Sequence, residues 1–295
     1  KGHGMAMHGA PKYPVDFKQF EYVNAAAPKG GSMYQGVAGG TFDSLNPFVL
    51  KGTPVSAVSG FVFDTLMKSS SDEPFTMYAL IAKTIETPKD RAWVRFELDE
   101  RARFHDGSPI TSADVVFTFE MLTSDRAHPA YRQYYYDVVK AEADGPRAVK
   151  FTFRAAGNRE LPLIVGQLPV ISKAYWSGRA FDQVTLDRPL GNGPYRIGDL
   201  AAGRYVVFER VKDYWAADLP TNRGYNNFDV IRLDYFRDAT VAREAFKAGE
   251  FDYRFENQAL AWATQYETEA VRKGELVKSE VPHQRPAGMQ CFAMN

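Results

Sequence analysis

Cysteine is almost absent from this chain: Cys291 is the one thiol in 295 residues. An intrachain disulfide is excluded, and so is a thiolate metal cluster, which needs several sulfur ligands at short spacing. Histidine is scarce as well. The five, at positions 3, 8, 105, 128 and 283, never fall at the His-x-x-x-His spacing of a helical zinc site. Net charge is missing: Lys plus Arg total 36 and Asp plus Glu total 36, so no field of one sign points to nucleic acid or an anionic membrane. No run of roughly 18 apolar residues is present to cross a bilayer as a helix. There is no Gly-x-Ser-x-Gly elbow and no Cys/His pattern around Cys291, so no nucleophile is marked beside a base. The opening Lys1-Gly2-His3-Gly4 lacks the apolar stretch of a secretory signal; if the protein is exported, it is expected to start at or near the mature end.

What the chain does have is aromatic surface, with 16 Tyr, 21 Phe and 4 Trp. Its length suits one large domain or two ordinary ones. The most organised stretch runs from Val94 to Leu122. Val94, Phe96 and Leu98 alternate as a strand with one buried face, and the apolar pattern resumes at Phe104. His105-Asp106-Gly107-Ser108-Pro109 is turn chemistry, because Asp-Gly tolerates positive φ and proline fixes its own. Thr111 and Asp114 then make a capping box, and Val115, Val116, Phe119 and Leu122 share a helical face.

Elsewhere, Ser32–Ala38 reads as a strand followed by Gly39-Gly40 and an Asn46-Pro47 turn. Residues 56–67 read as a helix. Val138–Glu142 and Val149–Phe153 form a hairpin across Asp144-Gly145-Pro146, with Leu161–Leu168 helical and Pro169–Ser172 a return strand. Tyr195–Leu200, Tyr205–Arg210 and Phe228–Phe236 are strands. Asp238 caps a helix that Gly249 stops before a further strand. Residues 258–272 are expected as a helix and Leu276–Val281 as a strand. His3, Met5, Met7 and His8 are soft metal ligands on one reading and part of a mobile terminal segment on the other. Gly191-Asn192-Gly193 is not a phosphate loop, because strands rather than a helix follow it.

Several of these stretches resemble the large extracytoplasmic solute-binding proteins of family 5, the peptide- and nickel-binding proteins of ABC importers. FHDGSPITSADVVFTFEML (104–122) resembles that family's most recognisable segment. Pro189-Leu190-Gly191-Asn192-Gly193-Pro194-Tyr195-Arg196 resembles its second signature, with Asn192 in place of the common Thr. Asp213-Tyr214-Trp215 and Phe228–Phe236 follow in the family's order. Lys12-Tyr13-Pro14, Asp16-Phe17, Phe20, Tyr22-Val23-Asn24 and Ala27–Gly31 resemble the start of its YejA-like oligopeptide-binding branch.

The resemblance implies an α/β, periplasmic binding protein-like fold (type II, cluster C). This chain would be the first lobe with an inserted α+β side domain, the second lobe being largely missing. The expected division is 1–31 as an extended N-terminal segment, 32–55 and 189–288 as the main lobe, 56–188 as the side domain, and 289–295 as the start of the crossover. By resemblance, ligand contacts fall on Gly40, Thr41, Phe42 and Asp43 and on one of Tyr131, Tyr134 or Tyr135. For the tyrosines, packing between domains is the competing reading. The implied function is a periplasmic, non-enzymatic importer component that binds short peptides through their main chain. Its expected partners are an ABC-type permease and the C-terminal remainder of the same polypeptide, with no cofactor, no metal and no nucleic acid. A nickel or metal-chelate binder of the same family is one alternative, and a peptide hydrolase is another from a different class.

Overall fold

The computed structural model describes residues 1–282, and among them three sheets form the frame. The first has the order β2-β11-β10-β9: Ser32–Ala38, Val230–Phe236, Tyr205–Arg210 and Tyr195–Ala201. Here β2 and β11 are parallel, in register from Ser32 opposite Val230 to Ala38 opposite Phe236. The second is antiparallel with the order β5-β6-β8-β7: Ala82–Glu86, Trp93–Leu98, Ala148–Phe153 and Val138–Ala143. The third joins β1 (Gly4–Ala6), β4 (Thr76–Ala79) and β3 (Met67–Ser69). The helices are α1 Val58–Phe61, α2 Ser112–Thr123, α3 Pro129–Tyr134, α4 Leu161–Gly166, α5 Lys173–Ser177, α6 Ala239–Lys247, α7 Ala259–Thr264 and α8 Glu269–Arg272.

Strand β6 is what alternation dictates: Val94, Phe96 and Leu98 are buried while Trp93, Arg95 and Glu97 are half-buried. Helix α2 starts at the expected box, with the Thr111 N–H donating to the Asp114 carboxylate at 2.9 Å. The other oxygen of Asp114 accepts the Lys173 N–H at 2.9 Å, and the Thr118 hydroxyl accepts the Ile171 N–H at 3.0 Å. One face of α2 is thereby tied to the segment 171–173. A single buried cluster runs from Phe42 and Phe48 through Phe96 and Phe151 to Phe208 and Leu233. Phe61 packs against it, with its ring 5.2 Å from Tyr195 and 5.1 Å from Phe208.

The two sequence signatures clasp each other. The His105 N–H donates to the Gly191 carbonyl at 2.8 Å, and His105 Nε2 lies 2.8 Å from the Gly193 carbonyl oxygen. Asn192 is fully buried. Its Oδ1 accepts the Asp64 N–H at 2.7 Å, its Nδ2 donates to the Val170 carbonyl at 2.9 Å, and its carbonyl accepts Trp215 Nε1 at 3.2 Å. Glycine is required beside it: a Cβ at Gly191 would stand 2.3 Å from the Val62 carbonyl oxygen, and one at Gly193 2.7 Å from that of Phe61.

Several expectations need correction. The helix expected over 56–67 is a single turn, because the Asp64 N–H and carbonyl are bonded to Asn192 and Val170 rather than along a helix. Pro169–Ser172 makes one bridge, Pro169 to Thr65, and no strand. The strand after Gly249 is likewise one bridge, Tyr253 beside Gln35. The helix expected over 258–272 splits in two, since Thr268 caps α8 and Tyr266 is turned toward Glu256. Leu276–Val281 is not a strand.

The N-terminal segment is not a mobile tail. Strand β1 pairs with β4, Met5 is buried, and Tyr13, Phe20 and Tyr78 form a second small core. The crossover expected at 289–295, with Cys291, lies outside the described residues.

Candidate functional site

The parallel part of the first sheet positions the candidate site. In open sheets, ligands bind outside the carboxyl ends of parallel strands, where the loops diverge. Three backbone segments run side by side here: β11, β2, and the residues around Asp252 and Tyr253. Asp252 fastens the third to β2, its N–H donating to the Tyr34 carbonyl at 2.8 Å and its carboxylate accepting the Tyr34 N–H at 2.7 Å. Their exits are the loops 39–43, 237–238 and 254–258.

The first exit holds four of the residues expected at the site. Gly39 turns with φ +77, and its N–H donates to the Phe236 carbonyl at 3.0 Å. Gly40, Thr41 and Asp43 are exposed. Phe42 is 2% exposed, with its ring 4.9 Å from Tyr235, so it anchors the loop from below. Asp43 is engaged with the chain itself: its Oδ1 accepts the Thr53 N–H at 2.6 Å and its N–H donates to the Thr53 carbonyl at 3.1 Å. Thr41 abuts the β9–β10 turn, where a Cβ on Gly203 would meet its hydroxyl at 2.4 Å. The loop is thus tied down at Phe42 and Asp43, with Gly40 and Thr41 exposed between them and β2.

The tyrosines divide. Tyr135 is 3% exposed and edge-on to Phe119 at 6.0 Å, a core residue; this corrects its candidacy as a ligand contact. Tyr131 is half-buried, 6.2 Å from the Phe48 ring. Tyr134 is exposed, on a hollow of about 490 Å³ between α3 and α4 that Tyr136, Glu160 and Ile164 also line. Through Phe48, Tyr131 lies against the chain five residues beyond Asp43.

The third exit opens on the most spacious of the cavities described, about 690 Å³, which the sequence reading missed. Tyr253, Phe255, Trp262 and Tyr266 supply rings, and Arg254 and Lys278 supply cations. Side chains alternate as on a strand. Tyr253 and Phe255 point outward, 50% and 73% exposed, while Arg254 and Glu256 point inward with side chains 8% and 3% exposed. Glu256 Oε2 accepts from Arg243 Nε at 3.1 Å, Arg254 Nη2 at 3.2 Å and the Tyr266 hydroxyl at 2.9 Å. Burial raises the cost of ionising this carboxyl, but the donors from Tyr266, the Gln258 N–H and the two arginines outweigh it and hold its pKa down at about 2. The period-2 alternation in Tyr253-Arg254-Phe255-Glu256 was the available signal; only the fold shows that Arg243 and Tyr266 meet it.

Two of the four N-terminal metal candidates, His3 and Met5, are engaged within the protein. His3 Nε2 lies 2.9 Å from the Tyr13 carbonyl oxygen, and Arg91 Nη1 donates to Met5 Sδ at 2.9 Å. Among the described residues no group of three or more His, Cys, Asp or Glu is placed to hold a metal ion. None of their helices is long and apolar enough to cross a membrane.

Comparison with known proteins bears on the family and the fold. Residues 76–295 match the family described as "Bacterial extracellular solute-binding proteins, family 5 Middle". The chain is 40% identical over 301 residues to the "Probable peptide-binding protein YejA" of Agrobacterium fabrum, covering 99% of this chain and 48% of that protein. It superposes with a TM-score of 0.66 on AppA of Bacillus subtilis in complex with a nonapeptide, at 19% identity over 82% of this chain and 47% of that one. NikZ of Campylobacter jejuni in complex with Ni(L-His) gives 0.65 at 18% identity, covering 80% and 45%. Likeness at these identities speaks for the fold alone. The chain spans about half the length of the curated relatives it matches.

Proposed function

Since the chain belongs to the family 5 bacterial extracellular solute-binding proteins, in a YejA-like branch, we propose that it is the first part of an importer's periplasmic receptor for short peptides. The family and its structural neighbours are binding proteins rather than enzymes. On this reading the protein captures a peptide, leaves it chemically unchanged and hands it to an ABC-type permease. The remainder of the polypeptide closes over the ligand by a hinge motion.

The observation that carries the reading is the convergence of three strand exits beside β2. The exposed Gly40 and Thr41 stand on one side, and the ring-lined cavity at Tyr253–Asn257 on the other. An exposed rim pairs with peptide main chain in the manner of strand addition. Aromatic walls accept varied side chains without demanding one. The whole-length protein, purified from its own host without refolding and then denatured, is expected to release short peptides detectable by mass spectrometry. Release of a metal chelate alone would overturn the peptide reading in favour of the nickel alternative.

A further inference from the structure

We propose that the cavity at the third strand exit receives an anionic group of the ligand, a carboxylate, at Arg254; this rests on the peptide reading above. The argument begins with charge. Arg243, Arg254 and Glu256 form one buried knot with side chains 8%, 8% and 3% exposed, two guanidiniums on a single carboxylate. Tyr266 and Gln258 complete it as neutral partners. A positive charge in excess of its counterions is costly in such surroundings unless a further anion offsets it.

The geometry says which arginine takes that anion. Arg254 lines the cavity; its Nε donates to the Tyr266 hydroxyl at 3.0 Å, and its bonds to Glu256, at 3.4 Å from Nε and 3.2 Å from Nη2, are longer than the ~2.7–2.9 Å of a tight charge-assisted pair. The planar fork has donors left for a second carboxylate. The other charges facing the cavity are committed or peripheral. The Asp252 carboxylate takes the Tyr34 N–H at 2.7 Å, and Lys278 Nζ donates to the Trp262 carbonyl at 3.0 Å and pairs with Glu267 at 3.3 Å. Glu280 is exposed at the rim. Phe255, Tyr253 and Trp262 also line the cavity and supply its apolar surface.

A peptide offers carboxylate from an acidic side chain or from its C-terminus. The test is calorimetric titration of the whole-length protein with Ala-Glu-Ala, Ala-Gln-Ala and the C-terminal amides of both. Neutralising one carboxylate is expected to weaken binding about tenfold or more, and which substitution does so identifies the source. Arg254→Met should abolish that discrimination, while Arg254→Lys, which keeps the charge and loses the fork, should retain part of it. Equal affinity of the wild-type protein for the four probes would overturn the inference and leave the peptide reading standing. So would an Arg254→Met variant that weakens all four by the same factor. Binding of none of them would overturn both.

Discussion

The Tyr214 hydroxyl donates to the Asp64 carboxylate at 2.7 Å, deep in the protein, joining the Asp-Tyr-Trp motif to the segment after α1. Asn222 Nδ2 reaches the same hydroxyl at 3.1 Å, and Lys68 Nζ reaches Asn222 Oδ1 at 2.8 Å while lying 3.7 Å from the Tyr225 ring centroid. This chain of partners fixes the join between signature segments.

Burial pushes the Asp64 carboxyl from 3.8 up to about 7, against the opposing pull of Tyr214 and Lys68. The folded state therefore binds a proton that the unfolded state has released, and stability falls as pH rises from about 4 to about 7. Burial lowers Lys68 to about 8, so its own contribution grows only above that pH. Asp64→Asn keeps an acceptor for Tyr214 and removes the titration. The urea midpoint of this variant should fall less between pH 4.5 and 7.5 than that of wild type. Parallel slopes would refute the assignment.

Glu256 has the opposite sign. With its carboxyl held at about 2 rather than 4.5, its stabilisation is complete above pH 4.5 and lost as pH falls toward 2. Glu256→Gln leaves two buried guanidiniums facing each other and is expected to cost about 3–5 kcal/mol in chemical denaturation at neutral pH. The loss should be smaller at pH 2, where the wild-type carboxyl is itself protonating.

Gly191 tests whether the second signature is a packing device. Its missing Cβ makes room for the Val62 carbonyl, so Gly191→Ala must displace that carbonyl, 2.3 Å away, as well as the His105 ring, 2.9 Å from the same position. Overpacking of this kind costs about 1–3 kcal/mol. A lowered urea midpoint with retained ligand capture in the surviving folded fraction is the expected pair of results. Unchanged stability would show that the clasp between the signatures yields.

The adjacent tyrosines separate packing from contact. Tyr135→Ala removes a buried ring and should destabilise by about 3–5 kcal/mol. Tyr134→Ala, on an exposed site, should stay within about 0.5 kcal/mol in the same assay. If Tyr134 is the one of the three tyrosines that contacts ligand, calorimetry will show weaker binding in that variant without loss of stability.

Local signals in the sequence determined what local physics controls. The alternation at Val94, Phe96 and Leu98 gave β6, the Thr111–Asp114 box gave the start of α2, and Asp238 with Gly249 bounded α6. The motif order also identified the family, and through it the glycine loop beside β2. The tertiary structure decided the rest, because those outcomes depend on partners far along the chain. Residues 56–67 failed to form a full helix when Asn192 and Val170 took up the backbone of Asp64. Tyr135 turned inward and Tyr134 outward by the packing of α3 against Phe119. Arg243, Arg254, Glu256 and Tyr266 became one buried charge cluster only when α6 and the residues after α7 were brought to the same strand exit. Helical and strand periods are written in neighbouring residues, whereas the meeting of charges across a fold is not.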